Sequence, residues 1–107
     1  MNAVAQGKTA AIISYLTPIG TVIALILNNE KKNPFAAFHV RQALGLFLTQ
    51  FALGYLVSSL DSWTATKTFY AVLFIFWLIG FSGAVQGVER KMPLLGDVYQ
   101  KLFKSIP

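Results

Sequence analysis

Asn33-Pro34-Phe35-Ala36-Ala37-Phe38-His39-Val40-Arg41-Gln42 opens the stretch on which the fold turns, and from Gln42 the chain runs to Leu60 without a charge. Asparagine is a good helix cap because its side chain accepts from a backbone N–H that has no partner in the first turn. Proline fits the first helical position because the N–H it lacks would be orphaned there anyway. A helix from Pro34 to Leu60 is about 40 Å long, more than the ~30 Å of a bilayer's hydrocarbon core. The surplus falls at the front, where His39 and Arg41 sit. The spacing therefore predicts a membrane helix whose first two turns lie among lipid headgroups.

Working outward, the same pattern occurs twice more. Residues 9–29, 42–60 and 68–88 carry no Asp, Glu, Lys or Arg, and each run is close to the ~20 residues that a membrane helix needs. A soluble helical bundle would place charges every turn on its outer face. Across the 107 residues the hydrophobic share is 55%, while charged residues make up only 12%, about half of what soluble domains use to coat themselves. The expected architecture is all-α and integral to the membrane, in one domain. It comprises three transmembrane helices (about 9–27, 38–60 and 67–88) and a short interfacial amphipathic helix at about 97–106. The first run is too long for the apolar part of a signal peptide and no small-x-small cleavage site follows it, so it is expected to be retained.

Each run carries a polar or small-residue face. In the first, Pro18 removes its own N–H and crowds the carbonyl of Ser14, so a kink is expected. Ser14, Thr17 and Thr21 share that face, where hydroxyls can satisfy the freed carbonyl. They serve either as local repair or as a polar lining. In the second, Gln42, Gly45 and Thr49 recur at helical spacing with Gln50 beside them, and amides against lipid tails are costly enough to turn such a face inward. In the third, Ser82 and Gln86 are one turn apart, and Gly83 and Gly87 make a small-xxx-small pair that suits close helix approach. At the C-terminus Val98, Tyr99, Leu102, Phe103 and Ile106 fall opposite Lys101 and Lys104, a helix too short to span that suits a membrane surface or a partner.

The net charge is +5, and the basic residues flank the apolar runs, which favours anionic lipid over nucleic acid. With three spans, Lys31, Lys32, Arg41, Arg90, Lys91, Lys101 and Lys104 lie on one side and Lys8 and Lys67 on the other. The positive-inside bias then predicts a cytoplasmic C-terminus and an external N-terminus. The basic set, with His39, is expected to contact headgroups or a partner. Alternatively, Arg41, His39 and the start of the second helix form an anion site.

Chemistry has few candidates. The four acids, Glu30, Asp61, Glu89 and Asp97, sit outside the apolar runs, so a buried proton relay has no carboxylate. Cysteine is absent, and His39 is the single histidine, so no metal-ligating set and no catalytic dyad is expected. No cofactor and no enzymatic activity are expected.

The early Ala11, Tyr15, Leu16, Pro18 and Gly20, the block Phe38-His39-Val40-Arg41-Gln42-Ala43-Leu44, and the exit Pro93-Leu94-Leu95-Gly96-Asp97 resemble the import-component family named after the twenty-kilodalton subunit of the chloroplast inner-envelope translocon. They also resemble that family's small bacterial relatives. The resemblance covers nearly the whole chain. It implies an all-helical inner-membrane protein acting as a non-enzymatic subunit or accessory factor of a membrane complex, linked to protein translocation. The chloroplast member is read as four-spanning. The alternatives are an oligomeric channel-forming protein and an anionic-lipid-binding protein. Expected partners are anionic membrane lipids and other membrane subunits or further copies of the chain.

Overall fold

A computed structural model describes residues 3–106. Its helices are α1 (Ala3–Leu16), α2 (Pro18–Lys31), α3 (Pro34–Ser59), α4 (Trp63–Gln86) and α5 (Gly96–Leu102).

The first expected span is not a span. Thr17 is fully extended (φ −152°, ψ 164°), and its side-chain oxygen accepts from the Gly20 N–H at 2.9 Å. Thr17-Pro18 is thus an N-cap followed by proline at the first helical position, the same start signal as Asn33-Pro34. The chain breaks there and turns back. Gln6, Gly7 and Ala10 of α1 line one small cavity with Leu27, Asn28 and Lys31 of α2, so the two helices run side by side as a hairpin. Each has 14 residues, or about 21 Å, too short for a ~30 Å core. The three-span expectation is therefore corrected to two spans and a hairpin of two short helices. Its physical origin is a proline that starts a new helix instead of kinking an old one.

The spans are α3 and α4. Asn33 caps α3 by accepting from the Ala36 N–H at 3.0 Å, and Ser62 caps α4 by accepting from Ala65 at 3.2 Å. Helix α4 stops at Gly87, which takes the left-handed conformation (φ 77°) that glycine adopts without a Cβ penalty. The two helices have 26 and 24 residues. Only 33% and 22% of their apolar windows are buried, whereas the core helix of a soluble protein would be mostly covered. Leu48, Phe51, Leu56, Phe74 and Ile75 all face outward, as acyl chains require.

The buried core gathers at one end. Ala11 and Tyr15 of the hairpin meet Phe35, Ala43 and Leu46 of α3, Leu73 and Ala84 of α4, and Met92 and Tyr99 beyond it. The hairpin packs on the front part of α3 and the rear of α4, and α5 lies across α3, giving a rod about 50 × 22 × 22 Å. The expected C-terminal helix is shorter than 97–106, ending at Leu102. Because α1 and α2 fold back, Val4 lies near Gly87, Gly7 near Asn33 and Ile106 on Arg41, so the first and last described residues lie at the same end of the rod. The opposite placement of the termini followed from three spans and falls with them.

Candidate functional site

Three segments converge on one buried polar knot. Gln42, fully buried on α3, accepts from the Met92 N–H through Oε1 at 2.7 Å. A backbone N–H can only donate, so this contact sets the amide's orientation. Nε2 then donates both hydrogens, to Tyr15 Oη at 2.8 Å and to the Arg90 carbonyl at 3.0 Å. Tyr15 Oη in turn lies 2.7 Å from His39 Nδ1, and His39 Nε2 lies 2.9 Å from the Val88 carbonyl. A carbonyl only accepts, so Nε2 carries the proton, Nδ1 is bare, and Tyr15 donates to it. The imidazole is neutral in this arrangement, and every hydrogen has an acceptor. Phe35, Phe38 and Tyr15 meet the His39 ring edge to face at centroid distances of 4.8–5.4 Å. The knot ties α1, α3 and the Val88–Met92 connector together.

A second set repairs the hairpin tip. Pro18 leaves the Ser14 carbonyl without its usual donor, and Thr21 Oγ1 supplies one at 2.6 Å. Ser14 donates to the Ala11 carbonyl at 2.6 Å. The Tyr15 carbonyl, at the broken end of α1, accepts from Trp77 Nε1 of α4 at 2.7 Å. Non-helical backbone at membrane depth persists only where protein or water satisfies it, and here side chains do so.

A third set fastens the C-terminal segment. Thr49 donates to the Gly45 carbonyl at 2.8 Å, which spends its one hydrogen, so Tyr99 donates to Thr49. The Tyr99 ring lies against Gly45, where a Cβ would overlap it. Arg41 donates to the Ile106 carbonyl at 2.6 and 3.2 Å, and Gln100 donates to the Phe38 carbonyl at 2.9 Å. Burial pushes the Tyr99 hydroxyl above its ordinary value. The exposed Lys91–Asp97 ion pair, 2.7 Å, holds the Asp97 carboxyl below the usual range by hydrogen bond and charge.

The residues singled out from sequence therefore separate. Ser14, Thr17 and Thr21 are spent on backbone at the tip. Gln42 lies in the knot, and Gly45 and Thr49 lie under Tyr99. Ser82 and Gln86 both accept from Arg90, at 2.7 and 2.8 Å, so the arginine closes back over the end of α4. Gly83 packs under Val88 and Arg90 instead of a neighbouring helix, and Gly87 is a cap. His39 is fully buried and touches no headgroup, which corrects that expectation. Arg41, His39 and the start of α3 do not converge on an anion site, because Arg41 holds the C-terminal turn, His39 points inward and Asn33 caps the helix. Lys31, Lys32, Lys101 and Lys104 remain exposed at the same end of the rod.

Sequence reading missed Tyr15 and Trp77 as members of the site. The available signal was polar atoms on large rings inside apolar helices, which require partners when buried. Among the described residues no buried side-chain nitrogen or oxygen lacks one.

Gln50 is different. It lies half-buried in a groove of about 390 Å³ between α3 and α4, walled by Leu46, Phe47, Tyr70, Leu73, Phe74 and Trp77. Its amide makes no hydrogen bond among the described residues. The groove opens above the hairpin tip, where α3 and α4 continue alone.

No family model matches the chain, and no solved structure matches it. It is similar to a UPF0132 membrane protein of Methanocaldococcus jannaschii, 27% identical over 89 residues, which is 81% of this chain and 62% of the relative. This chain is a membrane protein. It spans about three fifths of the length of the curated relative it matches.

Proposed function

We propose that this chain is a non-enzymatic subunit or accessory factor of a membrane complex, linked to protein translocation by its resemblance to the import-component family. The observation that carries the reading is the groove at Gln50. An amide near mid-membrane is costly against acyl chains and is ordinarily turned toward another helix. Among the described residues Ser14, Tyr15, Thr21, His39, Gln42 and Thr49 spend their polar groups on internal hydrogen bonds, which supports a structural use of Tyr15, His39 and Gln42 over a chemical one. The import family's chloroplast member is read as four-spanning. This chain has four helical segments before its C-terminal tail, two of them too short to cross.

The charge pattern supports an inner-membrane orientation with both termini in the cytoplasm. Lys8, Lys31, Lys32, Arg41, Arg90, Lys91, Lys101 and Lys104 fall at one end and Lys67 alone at the other. The exposed lysines at the basic end fit anionic headgroups.

A gentle pull-down from native membranes tests the reading. Co-purifying membrane subunits that are lost on Gln50→Leu support it. A lone chain at monomer mass in mild detergent, unchanged by that substitution, refutes it. The channel alternative gains nothing from the hydroxyls of Ser14 and Thr21 or the amide of Gln42, which are fully buried and face no shared lumen.

A further inference from the structure

The hairpin ends well short of the far ends of α3 and α4. Its tip is pinned by Trp77 Nε1 on the Tyr15 carbonyl, and Tyr15 Oη lies beside His39 and Gln42 in the first third of α3. From Trp77 to the end of α4 at Gln86 is about 14 Å, whereas the stretch from Trp63 to Phe76 continues about 21 Å beyond the tip. Helix α5 also packs at the hairpin's end, against Phe38 and Gly45. The half of the rod that holds Val4 and Ile106 therefore contains α1, α2 and α5 as well as the two spans. The other half contains α3 and α4 alone. At a helix diameter of about 10–12 Å, the hairpin by itself adds roughly 160–220 Å² of cross-section to one leaflet.

The outer surface of the hairpin is suited to acyl chains. Leu16, Ile19, Val22, Ile23, Ile26 and Leu27 are all exposed, Ile19 to 72% and Ile26 to 65%. The added area consequently displaces lipid tails and does not merely rest on headgroups. Area inserted into a single leaflet is accommodated at least cost where that leaflet is already spread, which is the basis of curvature-sensitive interfacial insertion.

We propose that this protein is a membrane wedge that gathers where the hairpin-bearing leaflet is convex and, at high density, promotes that curvature. Its ligand in this role is a lipid surface, and the property belongs to the single chain, independent of any subunit role.

The test uses the purified full chain in small sonicated and large extruded vesicles of one composition, phosphatidylcholine with phosphatidylglycerol. Because the chain has no cysteine, Lys104→Cys reports orientation through a membrane-impermeant thiol reagent. Molecules with the basic end outside are expected to be enriched severalfold per lipid in the small vesicles, and those with it inside to be depleted there. The opposite signs separate a wedge from simple charge or defect binding. Equal densities in both vesicle sizes, or the same sign for both orientations, overturn the proposal.

Discussion

Gln42→Leu removes the centre of the knot while nearly preserving side-chain volume. Three groups lose a partner. Among the described residues the Met92 N–H has its acceptor in Gln42 Oε1, and Met92 is 2% exposed, so water does not replace it. An unsatisfied buried donor costs about 1–3 kcal/mol. The Arg90 carbonyl is part-buried and recovers a water, at a smaller cost. Tyr15 keeps its bond to His39 and loses only an incoming one. The expected loss is about 2–4 kcal/mol, a large share of the 5–15 kcal/mol typical of folded domains. Tyr15→Phe is expected to cost about 1–3 kcal/mol by leaving His39 Nδ1 bare. Because the two residues share one hydrogen bond, the double variant should lose less than the sum, by about 1 kcal/mol. Reversible unfolding in detergent, followed by the fluorescence of Trp63 and Trp77, measures all three. A loss below about 0.5 kcal/mol for Gln42→Leu, or strict additivity, refutes the assignment of the knot as one cooperative unit.

Single cysteines at Lys8, Lys67 and Lys104 should be labelled from one side, the opposite side and the first side respectively, and labelling of Lys8 and Lys104 from opposite faces would restore a three-span path. Thr21→Val should destabilise the protein by about 1 kcal/mol in the same unfolding assay, since Ser14's carbonyl then has no donor at the proline break. Gly45→Ala should drive the Tyr99 ring off α3, read as faster proteolysis after Lys91 with the spans still protected. The Asp97 carboxyl is held below its ordinary value, so whatever the Lys91 pair contributes is present above that value and disappears as pH falls through the lowered one. Lys91→Met should abolish that acid-side change in α5 mobility, measured by hydrogen exchange.

Membrane residence, helical class and the clustering of positive charge were legible in the chain itself, because each is a sum over residues. Charge-free runs of bilayer length, the Asn33-Pro34 start and the basic flanks need no knowledge of neighbours. The fate of Thr17-Pro18 was not legible, since the same dipeptide serves as a kink within a rod or as the first turn of a new one. Contacts from elsewhere decided it: Trp77, 62 positions away, satisfies the carbonyl that the break exposes. His39 illustrates the same limit. At the mouth of a membrane helix beside Arg41 it reads as a headgroup contact, yet its ring is filled on both nitrogens by Tyr15 and Val88, 24 and 49 positions distant. Periodicity along one helix says which residues share a face, and only the packing of α1 and the Val88–Met92 connector against α3 determines what that face meets.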